Sequence, residues 1–407
     1  METVLEVELG HALNDERLAY TTLRLPAAPF ELLDTLDRLR ISDGGDMTVE
    51  ILNAMPDVDF LTGQMEGQSH KIPELHLLNA LAERIAQMNP VARCAFAGMV
   101  RMDRDKGEKE LSIPRLYDLA SSTDCCHVVP EAVDDASLGR FYVDGGFLPE
   151  YGEIPEPVLD RLDYAKIGRE AREGEGGVFV AGGGYVVQHT EFVEAVKDFT
   201  PQEPGYAVLL DVRRGEQAVT LKLPATPQEM DAALRAVGAE NWQDVTLCCA
   251  DCKVPALTEE ITDSGNAALA NRAARMLEGL DGKQTTMFKA LLEARGVSNL
   301  EDALEMIGWL DQYILTPEYD SPVDVGLSHL ENLVGPDEAK QMLPYVNLYG
   351  FGESMIQRFH YSMTPYGAIE RRDGEPIREV FDKQTDAGRD AGNHQPKPRR
   401  KHREPSR

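Results

Sequence analysis

The alternation of apolar and polar residues at the start of the chain predicts a β-hairpin followed by a short helix. Apolar and polar residues largely alternate over 4–9 and again over 18–25, which is typical of two antiparallel strands. Residues 30–39 then place leucine and phenylalanine at helical spacing, and 49–52 form another short apolar run. We therefore expect a small αβ domain over residues 1–70.

The next segment has the three- and four-residue spacing of helices. Residues 71–88 carry a continuous apolar stripe that ends before Asn89-Pro90, because proline disfavours a helical conformation at the preceding residue. Further helices are predicted over 91–102 and 113–119. This pattern predicts a helical domain over residues 71–135.

A third, smaller domain is predicted over residues 136–200. Residues 141–147 are interpreted as turn-rich, and 154–168 as a loop that enters a short helix. The glycine-rich segment 174–187 reads as a hairpin, with glycine supplying the positive φ angles of its turn. The domain is therefore expected to combine helix and strand.

A seven-residue segment recurs after about half of the chain. Leu-Arg-Leu-Pro-Ala-Ala-Pro at 23–29 returns as Leu-Lys-Leu-Pro-Ala-Thr-Pro at 221–227, with five of seven positions identical. Two later segments align in the same order, Asn79 on Asn271 and Asp163 on Asn347. A repeat at this distance predicts a duplicated unit.

The second copy is predicted to follow the order of the first. It begins with a hairpin over 207–223, a helix over 228–237 and a strand over 245–249, and continues with helices over 266–280, 284–293 and 300–313. The predicted fold class is α+β, in an elongated multi-domain chain. Its remaining domains are an αβ domain (201–262), a helical domain (263–340), a small αβ domain (341–380) and a disordered basic tail (381–407).

The charge of the chain is unusual for a protein of 407 residues. It carries 70 Asp and Glu against 41 Lys and Arg, a net charge of −29. The last twelve residues contribute +5, so residues 1–395 carry −34. Such a field repels nucleic acid and anionic lipid and attracts basic surfaces. The alternative is that the charge only keeps the protein soluble.

The sequence predicts a cytoplasmic protein with reduced cysteines. Its acidic start lacks the apolar core of a signal peptide, and no stretch approaches the roughly 20 apolar residues of a membrane span. Six cysteines are present, which without an export signal favours free thiols over a disulfide framework.

The cysteines are the first candidates for chemistry. Cys249 and Cys252 form a C-x-x-C that could complete a zinc site with Cys125, Cys126 or His127. Because Cys248 and Cys249 lie in a strand-like run whose neighbours point to opposite faces, buried thiols are the preferred interpretation. The glycine-rich segments match neither a phosphate-binding loop nor a dinucleotide fingerprint. We therefore expect no catalytic residue, no metal and no cofactor, and we do not expect the protein to be an enzyme.

Acidic residues on predicted loops and polar helix faces are the remaining candidates. Carboxylates spaced along a protein resemble the phosphates of B-form DNA, which carries about one charge per 1.7 Å of axis. For any single residue, a solvated surface is the alternative. The candidate phosphate mimics are Asp57, Asp59, Glu66, Asp134, Asp135, Glu150, Glu153, Glu156, Asp160, Asp163, Glu170, Glu173, Glu259, Glu260, Asp263, Asp320 and Asp324.

Three segments resemble the ArdA-type antirestriction proteins of conjugative elements. They are Leu25-Pro26 before a short helix, Ile-Pro-Glu-Leu-His-Leu-Leu-Asn-Ala-Leu-Ala-Glu-Arg-Ile at 72–85, and Leu-Asp-Tyr-Ala-Lys-Ile-Gly-Arg at 162–169 with the later Gly-Gly-Tyr. The resemblance covers most of residues 20–188. In the second half, Asn-Leu-Tyr-Gly-Phe-Gly at 347–352 has lost the arginine.

The resemblance implies an acidic DNA mimic that blocks type I restriction-modification enzymes. Proteins of that family are elongated dimers with three small domains per chain, whereas this chain is about twice as long. It therefore suggests two ArdA-like units in tandem, as a dimer or as a single-chain pseudo-dimer. The body is not expected to bind nucleic acid directly. The basic tail, outside the family pattern, is either a linker remnant or a nucleic-acid anchor.

Two other functions remain open from the sequence. One is a non-catalytic adaptor that docks a basic partner of the same mobile element. The other is a zinc-dependent enzyme that uses the cysteine cluster.

Overall fold

The computed structural model describes residues 2–14, 17–41, 45–63, 65, 68–107, 111–147, 155–201 and 203–378. It has the predicted α+β fold class, with helices beside several small antiparallel sheets. The described residues fall into two compact units, one of 1–210 with 250–255, the other of 211–249 with the residues from 256 onward. The basic tail predicted over 381–407 lies outside the described residues.

The first half of the chain contains seven strands and seven α-helices in its described residues. In chain order they are β1 (Leu5–Asn14), β2 (Arg17–Leu25), α1 (Pro29–Leu39), β3 (Asp46–Ala54), β4 (Ser69–Lys71), α2 (Ile72–Gln87), α3 (Pro90–Asp105), α4 (Ile113–Ser121), β5 (Cys126–Val129), α5 (Asp135–Asp144), α6 (Glu156–Leu159), α7 (Tyr164–Glu175), β6 (Val178–Val180) and β7 (Gly184–Gln188).

The second half repeats much of this order. Its elements are β8 (Val208–Arg214), β9 (Gln217–Leu223), α8 (Pro227–Ala236), β10 (Thr246–Cys252), α9 (Thr258–Ser264), α10 (Ala267–Glu278), α11 (Gly282–Arg295), α12 (Leu300–Ile307), β11 (Tyr313–Thr316), α13 (Pro322–Val334), α14 (Pro336–Met342), α15 (Leu348–Phe359), β12 (Ser362–Thr364) and β13 (Gly367–Arg371).

The first sheet has the strand order β2-β1-β3-β4. Its register pairs Leu5 with Leu25 and Val7 with Leu23 across the predicted hairpin, and Val7 with Ile51 of β3. Alternate residues are buried against the core, as a period of two requires. The predicted hairpin and the following strand are therefore confirmed, although each strand is longer than its apolar run.

The three helices predicted over 71–88, 91–102 and 113–119 are α2, α3 and α4, and they bury their apolar stripes in one core that also includes residues of the first sheet. Leu75, Leu78 and Phe96 are fully buried there. Helix α3 begins where Asn89 accepts a hydrogen bond from the backbone N–H of Ala92 (2.9 Å), so the predicted break before Pro90 is confirmed.

The small sheets near the end of each half have the same topology. Their strand orders are β5-β7-β6 and β11-β13-β12, both antiparallel. Each takes its first strand from a segment assigned by sequence to a helical domain, because β5 and β11 precede the predicted boundaries at 135 and 340. The third sheet has the order β10-β8-β9.

Two parts of the secondary-structure prediction are wrong. Residues 141–147 were expected to be turn-rich, but 141–144 form the end of α5, which starts from a capping box between Asp134 and Ser137. The helix expected over 300–313 ends at Ile307, because Gly308 caps it and Tyr313 enters β11 with its side chain buried.

The segments aligned between the halves make matching contacts. Asn79 of α2 accepts a hydrogen bond from the backbone N–H of Ala27 (2.8 Å) and donates one to its carbonyl (3.2 Å). Asn271 of α10 does the same with Ala225 (2.8 and 2.9 Å). These contacts support the duplication inferred from the sequence, which stays an inference.

Candidate functional site

The acidic candidates of the first unit concentrate on α5, α6, α7 and the turns before them. Helices α5 and α7 cross with Gly139 and Gly168 in the contact. A Cβ at Gly168 would lie 2.7 Å from the backbone nitrogen of Gly139, and one at Gly139 would lie 2.9 Å from that of Gly168. Real Cβ atoms essentially never come within 3.0 Å, so glycine is what allows this close approach.

The close crossing brings Asp135 beside two arginines of α7. Arg172 donates to both carboxylate oxygens of Asp135, from Nε at 2.8 Å and from Nη2 at 3.3 Å, and Nε of Arg169 lies 3.6 Å away. These guanidinium groups lower the pKa of Asp135, Arg172 contributing most. This carboxylate is therefore ionised but balanced within the protein, which makes it less suited to imitate a free phosphate.

Asp134 and Asp163 are the N-cap residues of α5 and α7. Asp134 accepts a hydrogen bond from the backbone N–H of Ser137 (2.7 Å), and Asp163 accepts one from that of Lys166 (3.0 Å). Hydrogen bonds from Ser137 lower the pKa of Asp134. Both side chains are exposed, so each presents an ionised carboxylate in an orientation that the helix terminus fixes.

Other exposed candidates of the first unit differ in whether a cation neutralises them. Asp57 pairs with Nη1 of Arg93 (2.8 Å), and Glu170 lies 3.8 Å from Nζ of Lys166. Asp59, Asp160 and Glu173 are exposed without an ion pair to any described residue. These last three carboxylates are not neutralised by an ion pair, although Glu173 also interacts electrostatically with Arg172 and raises the pKa of that arginine.

The candidates of the second unit lie on α9 and at the start of α13. Glu259 and Asp263 are exposed on α9, whereas Glu260 is partly buried and its Oε2 atom has no hydrogen-bond partner among the described residues. Asp324 belongs to the capping box of α13 and accepts a hydrogen bond from the backbone N–H of the exposed Asp320 (2.9 Å). Some acidic candidates of this unit are therefore exposed to solvent, whereas Asp324 caps a helix.

Four candidates cannot be placed as side chains. Glu66, Glu150 and Glu153 lie outside the described residues, and Glu156 is described only as the first residue of α6.

The cysteines show no arrangement suited to a metal. Within the described ranges, no group of three or more His, Cys, Asp or Glu side chains could hold a metal ion. Cys249 and Cys252 are buried, as expected of structural thiols, but Cys248 is exposed. Burial raises the pKa of Cys126 to about 11, so this thiol is protonated near pH 7 when no metal is bound.

Three acids that sequence reasoning did not select have perturbed environments in the first unit. Asp251 is 4% exposed, and its Oδ2 accepts hydrogen bonds from the backbone N–H of Phe30 (3.2 Å) and from the hydroxyl of Tyr206 (2.8 Å). Desolvation raises its pKa, and also those of Glu31 and Glu83. No local pattern in the sequence marks these residues as different from solvated acids.

Comparisons with known proteins do not identify a relative. No family model matches the chain, and no curated protein matches it. Among the described helices, none has the length and hydropathy needed to cross a bilayer.

Proposed function

We propose that this protein is an acidic DNA mimic that binds DNA-processing host defence enzymes and inhibits them, with type I restriction-modification enzymes as the most direct target. The observation that carries the proposal is the charge of −34 over residues 1–395. The resemblance of residues 20–188 to ArdA-type proteins supplies the biological setting.

The geometry of the first unit supports this proposal. Asp160 and Glu173 are exposed and form no ion pair with a described residue, and in the sequence they flank the N-cap residue Asp163 of α7, whose carboxylate orientation the backbone fixes. A DNA-binding enzyme engages phosphates through Lys and Arg, and release of counterions supplies much of its affinity. A surface of fixed carboxylates would compete for the same cationic side chains without offering a substrate.

The mechanism requires no catalysis by the inhibitor. Its acidic surface would occupy the DNA-binding cleft, and the negative field would accelerate the encounter with a basic surface. Both effects weaken as salt rises, because screening acts over about 8 Å at physiological ionic strength. The proposal therefore predicts that the protein binds the enzyme tightly at low salt and less tightly at high salt.

Cleavage of unmodified plasmid DNA by a purified type I restriction-modification enzyme provides the test. We expect the protein to inhibit cleavage, and the double variant Asp160→Asn, Glu173→Gln to inhibit about 2- to 30-fold less strongly, as expected for two exposed charges. The matched control is Glu216→Gln, Glu240→Gln, which removes the same charge from exposed positions outside the candidate set.

Three results would separate the possible outcomes. Equal weakening by both double variants would mean that net charge alone matters, without a defined carboxylate surface. No inhibition by the unaltered protein would contradict the proposal. Capture of a basic partner that does not bind DNA would instead favour an adaptor.

A further inference from the structure

The first unit contains a cavity of about 890 Å³ that the proposed function does not use. It lies between α1, α2, α4 and residues of 195–201 and 203–204, which follow β7 in the chain. Its volume lies within the range of about 300 to 1,000 Å³ that is usual for small-molecule sites. The cavity is therefore large enough to hold an organic ligand.

The walls of the cavity are largely apolar and partly aromatic. Leu32 and Ile72 contribute aliphatic surface from α1 and α2, and Tyr117 and Phe199 form the opposite part. The two aromatic rings pack edge to face, with their centroids 5.6 Å apart and their planes at 61°. Such walls favour a hydrocarbon body, and aromatic faces also attract cations.

One edge of α2 supplies the polar groups. His76, Asn79 and Glu83 line the cavity at positions one helical turn apart. Asn79 is 6% exposed, and its Nδ2 donates a hydrogen bond to Oε1 of Glu83 (3.1 Å). The same amide group also donates to the backbone carbonyl of Ala27. Glu83 is thus oriented by a buried amide, and it has no ion pair within the described part of the chain.

The aligned segment of the second half contains the same asparagine contact without an equivalent carboxylate. Asn271 binds Ala225 with the same geometry with which Asn79 binds Ala27. The residues of α10 equivalent to His76 and Glu83 are Ala268 and Arg275. The asparagine contact therefore forms without a histidine and a carboxylate on either side of it, so His76 and Glu83 are not required for that contact.

We propose that this cavity binds an organic cation with an apolar body, whose ammonium or guanidinium group pairs with Glu83. The hydrocarbon part lies against Tyr117, Phe199 and the aliphatic walls. Asp198 and Glu203, both exposed at the cavity, add negative potential at its mouth. Burial lowers the pKa of His76, so its ring is neutral near pH 7 and does not repel the cation.

Isothermal titration calorimetry on the full chain, with phenylbutylammonium and phenylbutyrate as probes, tests the proposal. The two molecules have similar bodies and opposite charges. We expect saturable binding of the cation at one site and binding of the anion at least about tenfold weaker, because a charge-assisted hydrogen bond forms only with the cation. No restriction enzyme is involved, so failure here leaves the proposed function untouched.

Two variants and one control locate the site. Glu83→Gln keeps the oxygen that accepts from Asn79 but removes the charge, and should weaken cation binding about tenfold. Glu173→Gln makes the same charge change on α7 and should leave the affinity within about twofold. Ala80→Trp would fill the cavity and should abolish binding while circular dichroism shows an intact fold.

The proposal fails if the anion binds as tightly as the cation, which would indicate an unselective apolar cavity. It also fails if Glu83→Gln and Glu173→Gln have equal effects, which would indicate general attraction to an acidic protein. Absence of detectable cation binding would overturn it as well.

Discussion

The crossing of α5 and α7 offers the sharpest test of the structure, because two glycines of the same helix should respond in opposite ways to the same change. Gly168 lies in the crossing, where an added Cβ would meet the carbonyl group of Asp135 and lie 2.7 Å from the backbone nitrogen of Gly139. Gly174 is also in α7, but an added Cβ there has no neighbour within 4 Å.

The expected magnitudes follow from these distances. Both obstacles at Gly168 are backbone atoms, which cannot turn aside as a flexible side chain can, so the helices must move apart. Overpacking of this kind costs about 1–3 kcal/mol. Replacing glycine by alanine in a helix otherwise stabilises it by about 0.5–1 kcal/mol. We therefore expect Gly168→Ala to lower the free energy of unfolding by about 2 kcal/mol, taking the upper part of that range, and Gly174→Ala to raise it slightly.

Hydrogen exchange of the α7 backbone amides is the suitable assay, since it reports the stability of this helix pair without requiring the whole chain to unfold in one step. Gly168→Ala should accelerate exchange of these amides, and Gly174→Ala should slow it or leave it unchanged. Equal protection in the two variants would show that α5 and α7 do not pack at glycine distance, and the placement of Asp135 beside Arg172 would then be wrong.

Three further predictions concern polar side chains in buried or partly buried contacts. Asn79→Ala and Asn271→Ala should each lower the free energy of unfolding of their own unit by about 2–4 kcal/mol in a urea titration, because each leaves a buried backbone N–H and C=O without a partner. A decrease below about 0.5 kcal/mol, which is typical of surface substitutions, would contradict the hydrogen bonds between the asparagine and the backbone. Desolvation raises the pKa of Asp251, so the native state binds more protons than the unfolded state from about pH 4 upward, and stability falls as pH rises through that window. Asp251→Asn should flatten this part of the curve of unfolding free energy against pH. An unchanged curve would show that the raised pKa of Asp251 does not cause this pH dependence. Asp135 has the opposite effect on stability, because its lowered pKa contributes stability that is lost as pH falls below about 4. Asp135→Asn should remove this loss of stability at low pH in the same titration. An acid dependence of unchanged size would argue against the ion pair between Asp135 and Arg172.

Much of the regular structure could be predicted because local signals were strong and consistent. The apolar stripe of α2 and the proline after Asn89 mark both ends of that helix. Helix α5 was missed because Gly139 and the two glycines after Asp144 suggest turns. In the structure Gly139 is instead required for the close packing of α5 against α7. This packing is a tertiary contact, so no local sequence pattern predicts it.

The state of the acidic side chains could be predicted only in part. An N-cap aspartate such as Asp163 accepts its hydrogen bond from a backbone N–H three residues later, so this contact can be predicted from the local sequence. The partners of Asp57 and Asp135 are separated from them by 36 and 37 residues, so only the folded chain shows that these charges are balanced. Likewise, the orientation of Glu83 depends on Asn79, whose own position is fixed by a contact with Ala27, 52 residues away.

The central claim is that this acidic protein takes the place of DNA on a restriction enzyme. Its most direct test is the fluorescence anisotropy of a labelled DNA duplex bound to a purified type I restriction-modification enzyme, measured while the protein is titrated in. The account predicts complete displacement of the duplex, with a midpoint that rises as the DNA concentration rises. A duplex that stays bound at saturating protein, whether the protein fails to bind or joins a ternary complex, would contradict it.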